Sequence, residues 1–472
     1  MQEKLKITNK KLILFFLILI IPNLFNNLNL IDNHEIFTNL ILYDNYFKYF
    51  INHPEIIIKF DHSTYRPLFY ILKGIEFFLF KDNSFFYFLL RSILFIATSI
   101  FFYKTTDLFI KNIFLKLALS MLPTLNPYSV DFFYRAGPQE SFVIIFLSII
   151  IYSIFLDLKK KILLNKYLII SSIISISLIK EPFAIMGIFF TCYLYFCSNK
   201  LKGSKTIITT FLIQLIILIV IIANYIKLGH TYGEESNYQL LKILNLFIAF
   251  PIKIKINTLF LLLQVMLFLI ASKKDYKELL ILLFFLNIFY FLNYFIYQGW
   301  SIKRYQIVYV ICIYILFLYI FTLCNEYKKS YEKKFKYFFY ILLLFCILFH
   351  YLNVYKTVYT NLNFKKQFVK IVNNQESIII NEKVEKIDPE KFTSMIIFIK
   401  YFNMSKQVYT FNNNDIFKIN IEPKNNKILF KKELIKFDQN KSIFNNSRCL
   451  NFIRENSDIY CPIKNKEIKI FN

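Results

Sequence analysis

The sequence has few glycines and a single tryptophan, and it lacks the motifs that form common ligand sites in soluble proteins. It contains seven glycines and one tryptophan among 472 residues. It has no glycine-rich phosphate loop, no zinc-ligand spacing and no internal repeat of fixed period. These absences argue against a phosphate-loop nucleotide enzyme, a zinc-finger protein and a repeat solenoid.

Acidic residues are also scarce relative to basic ones. The chain has 57 Lys and Arg against 31 Asp and Glu, for a formal net charge of +26. Part of this excess fits the lysine-rich, asparagine-rich composition of an AT-rich genome, and we expect a bacterial source. The lysines lie at the ends of apolar runs rather than on one face, so the pattern disfavours a nucleic-acid partner.

Apolar residues dominate what remains. They make up 56% of the chain, and the mean hydropathy is +0.46, which is too apolar for a soluble protein. Many runs are long enough to cross a hydrocarbon core of roughly 30 Å, and such runs must be helical. We predict an all-α polytopic membrane domain with about 11 transmembrane helices. The predicted spans cover residues 12–24, 84–103, 113–128, 141–156, 167–178, 183–197, 207–226, 258–270, 279–297, 305–323 and 338–354.

Lysine-rich loops indicate the orientation. The first span follows four lysines and lacks a small-residue cleavage site, so we interpret it as a retained signal anchor with a cytoplasmic N-terminus. Every lysine-dense loop then falls on that side of a plasma membrane. Residues 30–83 and the C-terminal tail fall outside the cytoplasm. Segments 67–80 and 238–250 are amphipathic enough to lie in the interface instead.

The tail differs in composition from the rest. Residues 1–356 form the predicted membrane domain, whereas 357–472 lack long apolar runs and contain short alternating stretches at 376–381 and 427–430. We expect a small extracytoplasmic α/β or β-rich domain there. Its cysteines, Cys449 and Cys461, form either a disulfide in an oxidising compartment or two free thiols.

Ionisable residues gather on the predicted outer face, which suggests chemistry on a substrate that arrives partly through the lipid. Asp32 and Glu35 follow the first span. Either carboxylate is a solvated helix cap, a general base for an acceptor hydroxyl or a ligand for a divalent cation. Arg66 precedes Pro67 in the run Ser63 to Leu68. Its planar fork is suited to phosphate oxygens, although snorkelling toward headgroups is the alternative.

Three further motifs lie on the same side. Asp131, Arg135 and Glu140 crowd a polar turn after Pro127. Three charges within ten residues exceed what a structural turn requires.

The last two motifs pair a cation with another polar group. Lys180 and Glu181 precede Pro182 and form either a neutralised pair or part of a site. Arg304 and Tyr305 open the tenth span. A basic residue on the outer face breaks the orientation rule locally and favours an anionic lipid-linked phosphate as partner.

These motifs, in this order, resemble those of the integral-membrane glycosyltransferases of the GT-C fold, most closely the protein O-mannosyltransferase group and its tetratricopeptide-linked relatives. The resemblance covers residues 10–325. Its matching positions are Asp32, Ser63 to Leu68, Pro127 with Asp131 and Glu140, Lys180–Glu181, and Arg304–Tyr305. The family's second acid is Asn33 here, its histidine before the third-loop proline is Asn126, and its tetratricopeptide tail is replaced by a lysine-rich segment.

The resemblance implies an inverting transfer of a sugar from a polyprenyl-phosphate donor to an extracytoplasmic glycan, lipid or protein. Asp32 would be the general base. Glu35 would take the place of the family's second acid, which is Asn33 here. Arg66, Lys180 and Arg304 would bind the lipid phosphate, while Asp131, Glu140 and Glu181 would orient these cations or the sugar. Members of this fold differ in their use of a divalent metal, so metal dependence stays open.

Two other classes remain as alternatives. A transporter or flippase of lipid-linked saccharides would place its charges at the bilayer midplane and often contain two related halves. A non-catalytic membrane scaffold would scatter its outer charges. An enzyme should instead bring Asp32, Arg66 and Lys180 together around one cavity.

Overall fold

The protein is seen in a computed structural model. It describes residues 9–28, 34–53, 65–126, 129–228, 281–283, 286, 307–327, 329–374, 377–381, 389–402, 407–412, 415–424, 427–435 and 447–450.

Helices make up most of the described chain. A 3₁₀ turn, Ile21–Phe25, continues the first helix. The helices are α1 Asn9–Ile20, α2 His34–Leu42, α3 Tyr46–Asn52, α4 Pro67–Phe80, α5 Ser84–Asp107, α6 Ile113–Met121, α7 Val130–Phe133, α8 Glu140–Lys160, α9 Lys166–Ile179, α10 Pro182–Cys197, α11 Lys205–Leu228, α12 Ile307–Tyr327, α13 Lys329–Asn374 and α14 Pro389–Phe402.

Three of the described helices are long and apolar enough to cross a membrane: Ser84–Asp107, Glu140–Lys160 and Lys205–Asn224. Shorter apolar helices cover Lys166–Ile179, Pro182–Cys197 and Val310–Tyr319. The predicted spans in these regions begin and end within a few residues of the observed helices. The predicted spans 258–270 and 279–297 lie largely outside the described residues, as does the segment 238–250. The total of 11 spans stays a prediction.

Short polar residues start several helices. The side chain of Asn112 accepts hydrogen bonds from the backbone N–H groups of Phe114 and Leu115, at 3.1 and 3.2 Å. Asn45, Asn83 and Asn165 cap α3, α5 and α9 in the same way. Such caps satisfy amide groups that the first helical turn leaves without partners. The asparagine-rich composition therefore supplies the helix starts locally.

A buried asparagine network joins the first helix to the rest of the bundle. Asn23 donates to the carbonyl of Phe133 at 3.0 Å, and Asn26 donates to the carbonyl of Tyr134 at 2.9 Å. Asn361 of α13 donates to Asn26 Oδ1 at 2.9 Å. Because buried amides need partners, this network fixes α1, α7 and α13 relative to one another.

Helix α4 buries its charged residues and exposes apolar ones, which is the reverse of an amphipathic helix at a water-facing surface. Its charged residues Lys73 and Glu76 are 1% and 2% exposed, whereas Ile75 and Leu79 are 40% and 70% exposed. The polar side of α4 therefore faces the protein and its apolar side faces outward. This is the arrangement expected of a helix whose outer surroundings are apolar.

The C-terminal part contains a five-stranded sheet in the order β4-β3-β2-β1-β5. Strand β1 pairs in parallel with β2 and with β5, while β2–β3 and β3–β4 are antiparallel. Helix α14 lies in the connection from β1 to β2, as parallel pairing requires. The two predicted strand segments coincide with β1 and β4. The strands are β1 Ser377–Asn381, β2 Gln407–Asn412, β3 Asp415–Lys424, β4 Lys427–Ile435 and β5 Ser447–Leu450.

Helix α14 packs on α2. The Phe37 ring lies 4.4 Å from that of Phe398 and 4.6 Å from that of Tyr401, measured between centroids. The predicted domain boundary at 356/357 falls inside α13, which runs on to Asn374. The extracytoplasmic location of this part stays a prediction. The side chain of Cys449 is not described and Cys461 lies outside the described residues, so the disulfide also stays a prediction.

Candidate functional site

One ion pair joins two of the predicted site residues. Arg66 immediately precedes Pro67, the first residue of α4, and Glu181 lies at the junction of α9 and α10. Arg66 Nε donates to Glu181 Oε1 and Oε2 at 2.6 and 2.7 Å. The two side chains are 11% and 14% exposed, so the pair is partly accessible.

A second ion pair lies next to the first in sequence. Lys180 has an extended backbone where α9 ends, and Glu140 is the first residue of α8. The Lys180 ammonium donates to Glu140 Oε1, and both side chains are almost fully buried. A carboxylate in the first turn of a helix also interacts favourably with the helix dipole.

The two pairs bring the ends of four helices together, because residues 180 and 181 are adjacent. Within these two pairs, two cations face two carboxylates. A guanidinium can exchange a carboxylate for the oxygens of a phosphate, since both anions match its planar fork. Of the two cations, the more accessible Arg66 is better placed to make that exchange than the enclosed Lys180.

The other predicted site residues lie in α2, in α7 or in the turn between α7 and α8, or fall outside the described residues. Arg135 is half-buried in the turn between α7 and α8. Glu35 is half-buried in the first turn of α2. The backbone of Asp131 lies in α7, but its side chain is not described. Three predicted site residues lie outside the described part of the chain: Asp32, Arg304 and Tyr305.

A third charged cluster was not predicted from the sequence. Arg91 of α5 donates from Nη1 to Glu76 Oε1 at 2.7 Å and from Nη2 to Glu76 Oε2 at 3.1 Å. Lys73 Nζ donates to Glu76 Oε2 at 3.0 Å. All three side chains are buried. We call Lys73, Glu76 and Arg91 the buried triad.

The buried triad contacts the turn that carries Arg135 and Glu140. The backbone carbonyl of Ala136 accepts a hydrogen bond from Arg91 Nη2 at 2.8 Å and another from Lys73 Nζ. The Arg91 guanidinium also lies over the Phe142 ring, 4.7 Å from its centroid. One carbonyl oxygen therefore receives two charge-assisted hydrogen bonds from two different helices.

The electrostatics of the triad follow from burial and from its neighbours. Helix α4 has 14 residues and is shorter than the three described helices that are long enough to cross a membrane. Burial lowers the pKa of the Lys73 ammonium to about 8, although the nearby charges of Glu76 and Glu35 oppose this shift. Burial also acts to raise the pKa of Glu76, but the positive charges of Arg91 and Lys73 outweigh it and hold that pKa below the ordinary value. Glu35 is thus close enough to Lys73 to interact with it.

The sequence did contain a signal for this cluster. Arg91 interrupts a long apolar run, and an ionisable residue in such a run usually faces the protein interior and has a partner. The (i, i+3) spacing of Lys73 and Glu76 places both on one helix face. Together these features could have predicted an inward-facing charged face on α4.

No cluster of three or more His, Cys, Asp or Glu side chains suited to a metal ion occurs among the described residues. Asp32, the predicted site acid nearest to Glu35 in the sequence, lies outside the described residues. Metal dependence therefore stays open.

The charged groups at the ends of α4, α8 and α9 thus form the candidate site. Comparison with known proteins does not assign it to a family: no family model, no curated protein and no solved structure matches this chain.

Proposed function

We propose that the protein is a membrane glycosyltransferase that takes its sugar from a polyprenyl-phosphate donor and acts outside the cytoplasm. The order of the sequence motifs and their resemblance to GT-C enzymes support this proposal. The observation that carries it is the placement of Arg66–Glu181 beside Lys180–Glu140. These residues come from distant parts of the chain, and they match motifs that the resemblance assigns to donor binding.

In the proposed reaction, Arg66, Lys180 and Arg304 bind the lipid phosphate. An acceptor oxygen attacks the anomeric carbon from the face opposite the phosphate, so the configuration inverts. The bond from that carbon to the phosphate oxygen breaks, and polyprenyl phosphate leaves with the electron pair. The acceptor's proton passes to Asp32 or Glu35.

The cations would contribute most where charge grows. Negative charge increases on the phosphate as the glycosidic bond breaks, and a positioned guanidinium stabilises that change more strongly in a water-poor site. Glu181 would hold Arg66 in position before the donor arrives. The ion pair supports this role, because Glu181 compensates the charge of Arg66 before the donor is bound.

The first prediction concerns Arg66. We expect Arg66→Ala to lower sugar transfer by about 100-fold or more, as removal of a single transition-state donor commonly does. The assay incubates purified protein in lipid nanodiscs with radiolabelled polyprenyl-phosphate sugars and measures release of polyprenyl phosphate. Asp32→Asn should cause a comparable loss.

Lys48→Ala is the matched control. Lys48 also pairs with an acid, Asp44, but both side chains are more than half exposed, so we expect parental activity. Full activity of both Arg66→Ala and Asp32→Asn would refute the proposal. Movement of the intact donor across the bilayer, without release of polyprenyl phosphate, would instead support a flippase.

A further inference from the structure

We propose that Lys73 and Arg91 are positioning residues, which hold the Ala136 carbonyl and thereby fix the turn that presents Arg135 and Glu140 to the site. The proposal rests on the proposed function for its catalytic consequence. Neither Lys73 nor Arg91 belongs to the motifs that resemble GT-C enzymes.

The hydrogen-bond geometry supports this role. Ala136 lies immediately after Arg135, and its carbonyl is the only backbone group to which both Lys73 and Arg91 donate among the described contacts. Lys73 comes from α4 and Arg91 from α5, so the carbonyl is held from two directions. Because peptide units are planar, fixing this carbonyl also fixes the peptide plane between Ala136 and Gly137, at the centre of the turn.

The charge balance of the buried triad shows that Lys73 is not needed to neutralise it. The triad has two cations and one carboxylate. Arg91 alone forms two hydrogen bonds with Glu76. If charge compensation were the only requirement, a neutral side chain at position 73 would leave a balanced Arg91–Glu76 pair. Its hydrogen bond to Ala136 and the nearby charge of Glu35 account for the additional buried ammonium.

Lys73 also connects the turn to α2. The negative charge of Glu35 acts on the Lys73 ammonium, and Glu35 is one of the two predicted bases. The buried triad thus contacts the turn that carries Arg135 and Glu140, and Lys73 also interacts with the charge of a predicted base on α2.

The test is Lys73→Met, which keeps the length and removes the ammonium. We expect the folded protein to be at least as stable as the parent, because one buried charge is removed while the Arg91–Glu76 pair is kept. The kcat/KM for the polyprenyl-phosphate donor should fall by about 100-fold, as expected for a displacement of about 1 Å in a positioned site. Lys48→Met, on the exposed surface of α3, should leave kcat/KM unchanged.

A pH profile separates positioning from simple stabilisation. Burial lowers the pKa of the Lys73 ammonium to about 8, so the kcat/KM of the parent should fall as the pH rises through that value and the ammonium is lost. The residual activity of Lys73→Met should lack this step. Among the described residues, several charged or titratable groups lie near Lys73. They are Glu76 on α4, Arg91 and Tyr87 on α5, Glu35 on α2, and Tyr49 and His53 of α3, which contact Tyr70 one turn before Lys73.

Hydrogen exchange tests the positioning without relying on activity. In Lys73→Met, amides in the 134–140 turn should exchange at least about tenfold faster, while those in the middle of α8 keep the parental rate. Unchanged exchange in the turn, or a parental kcat/KM, would overturn the positioning role. If the parent transfers no sugar but its turn loosens in Lys73→Met, the positioning stands and the proposed function fails.

Discussion

At the residue scale, the candidate site consists of charges that are neutralised before any substrate arrives. Glu140 and Lys180 are both nearly fully buried, and removing an ion from water costs several kcal/mol. Such a pair is tolerated when each charge compensates the other. The partly accessible pair Arg66–Glu181 differs in this respect, because solvent can replace either partner.

This difference gives a prediction for stability. Lys180→Met leaves the Glu140 carboxylate buried without its lysine, and we expect a loss of about 3–5 kcal/mol in the free energy of unfolding. The double variant Lys180→Met/Glu140→Gln removes both charges and should recover most of that loss. Denaturant unfolding in detergent micelles provides the measurement.

Arg66→Ala/Glu181→Ala offers a matched comparison, since its parent pair is less buried. We expect its stability to fall by less than that of Lys180→Met. A double variant at 140 and 180 that is no more stable than Lys180→Met would show that the charges do not compensate each other.

At the element scale, helix α2 is held from two sides. The charge of Glu35 near its start interacts with Lys73 of α4. Phe37, two residues further along the chain, is buried against Phe398 and Tyr401 of α14. The C-terminal sheet and its helix therefore contact the same element that carries a predicted base.

Phe37→Ala should weaken that contact. Truncation of a buried phenylalanine costs about 3–5 kcal/mol in a well-packed site. We expect limited proteolysis to cut within the C-terminal strands several times faster than in the parent, while the α8 region remains resistant. Mass spectrometry of the fragments identifies the cleavage sites.

Phe47→Ala is the control for this experiment. Phe47 is 70% exposed on α3, so its removal should leave the cleavage rate unchanged. Equal protease resistance of Phe37→Ala and the parent would mean that the sheet is held by other contacts.

At the scale of the whole molecule, orientation in the membrane can be measured directly. Asp82 lies in the exposed turn between α4 and α5, and Lys161 lies in the exposed segment after α8. The predicted topology places the first outside the cytoplasm and the second inside. In intact cells, a membrane-impermeant thiol reagent should therefore label Asp82→Cys but label Lys161→Cys only after permeabilisation.

The parent chain with its native cysteines replaced provides the background for this labelling. Labelling of Lys161→Cys in intact cells, together with protection of Asp82→Cys, would reverse the orientation and place the candidate site in the cytoplasm. The donor and acceptor would then have to be sought on that side.

Hydropathy predicted much of the helical architecture because apolar runs and flanking asparagines act locally. The ends of α5, α8, α9 and α10 lie close to their predicted positions. Hydropathy did not predict which face of α4 points inward, since a 3.6-residue period identifies two faces but not the medium that each one meets.

The ion pairs required tertiary structure. Arg66 and Glu181 are 115 residues apart, and Glu140 and Lys180 are 40 apart. Each residue was predicted as part of a polar motif, but no local pattern specifies which carboxylate meets which cation. Arg91 was not predicted as part of a charged cluster because it is a single charge within a long apolar run.

The length of α13 affects where the C-terminal sheet lies relative to the rest of the helices. Its 46 residues span about 69 Å at 1.5 Å per residue, which is more than twice the thickness of a hydrocarbon core. Only residues 375 and 376 separate the helix from β1. Because only two residues lie between α13 and β1 in the sequence, the C-terminal end of α13 determines where the first strand of the sheet can begin.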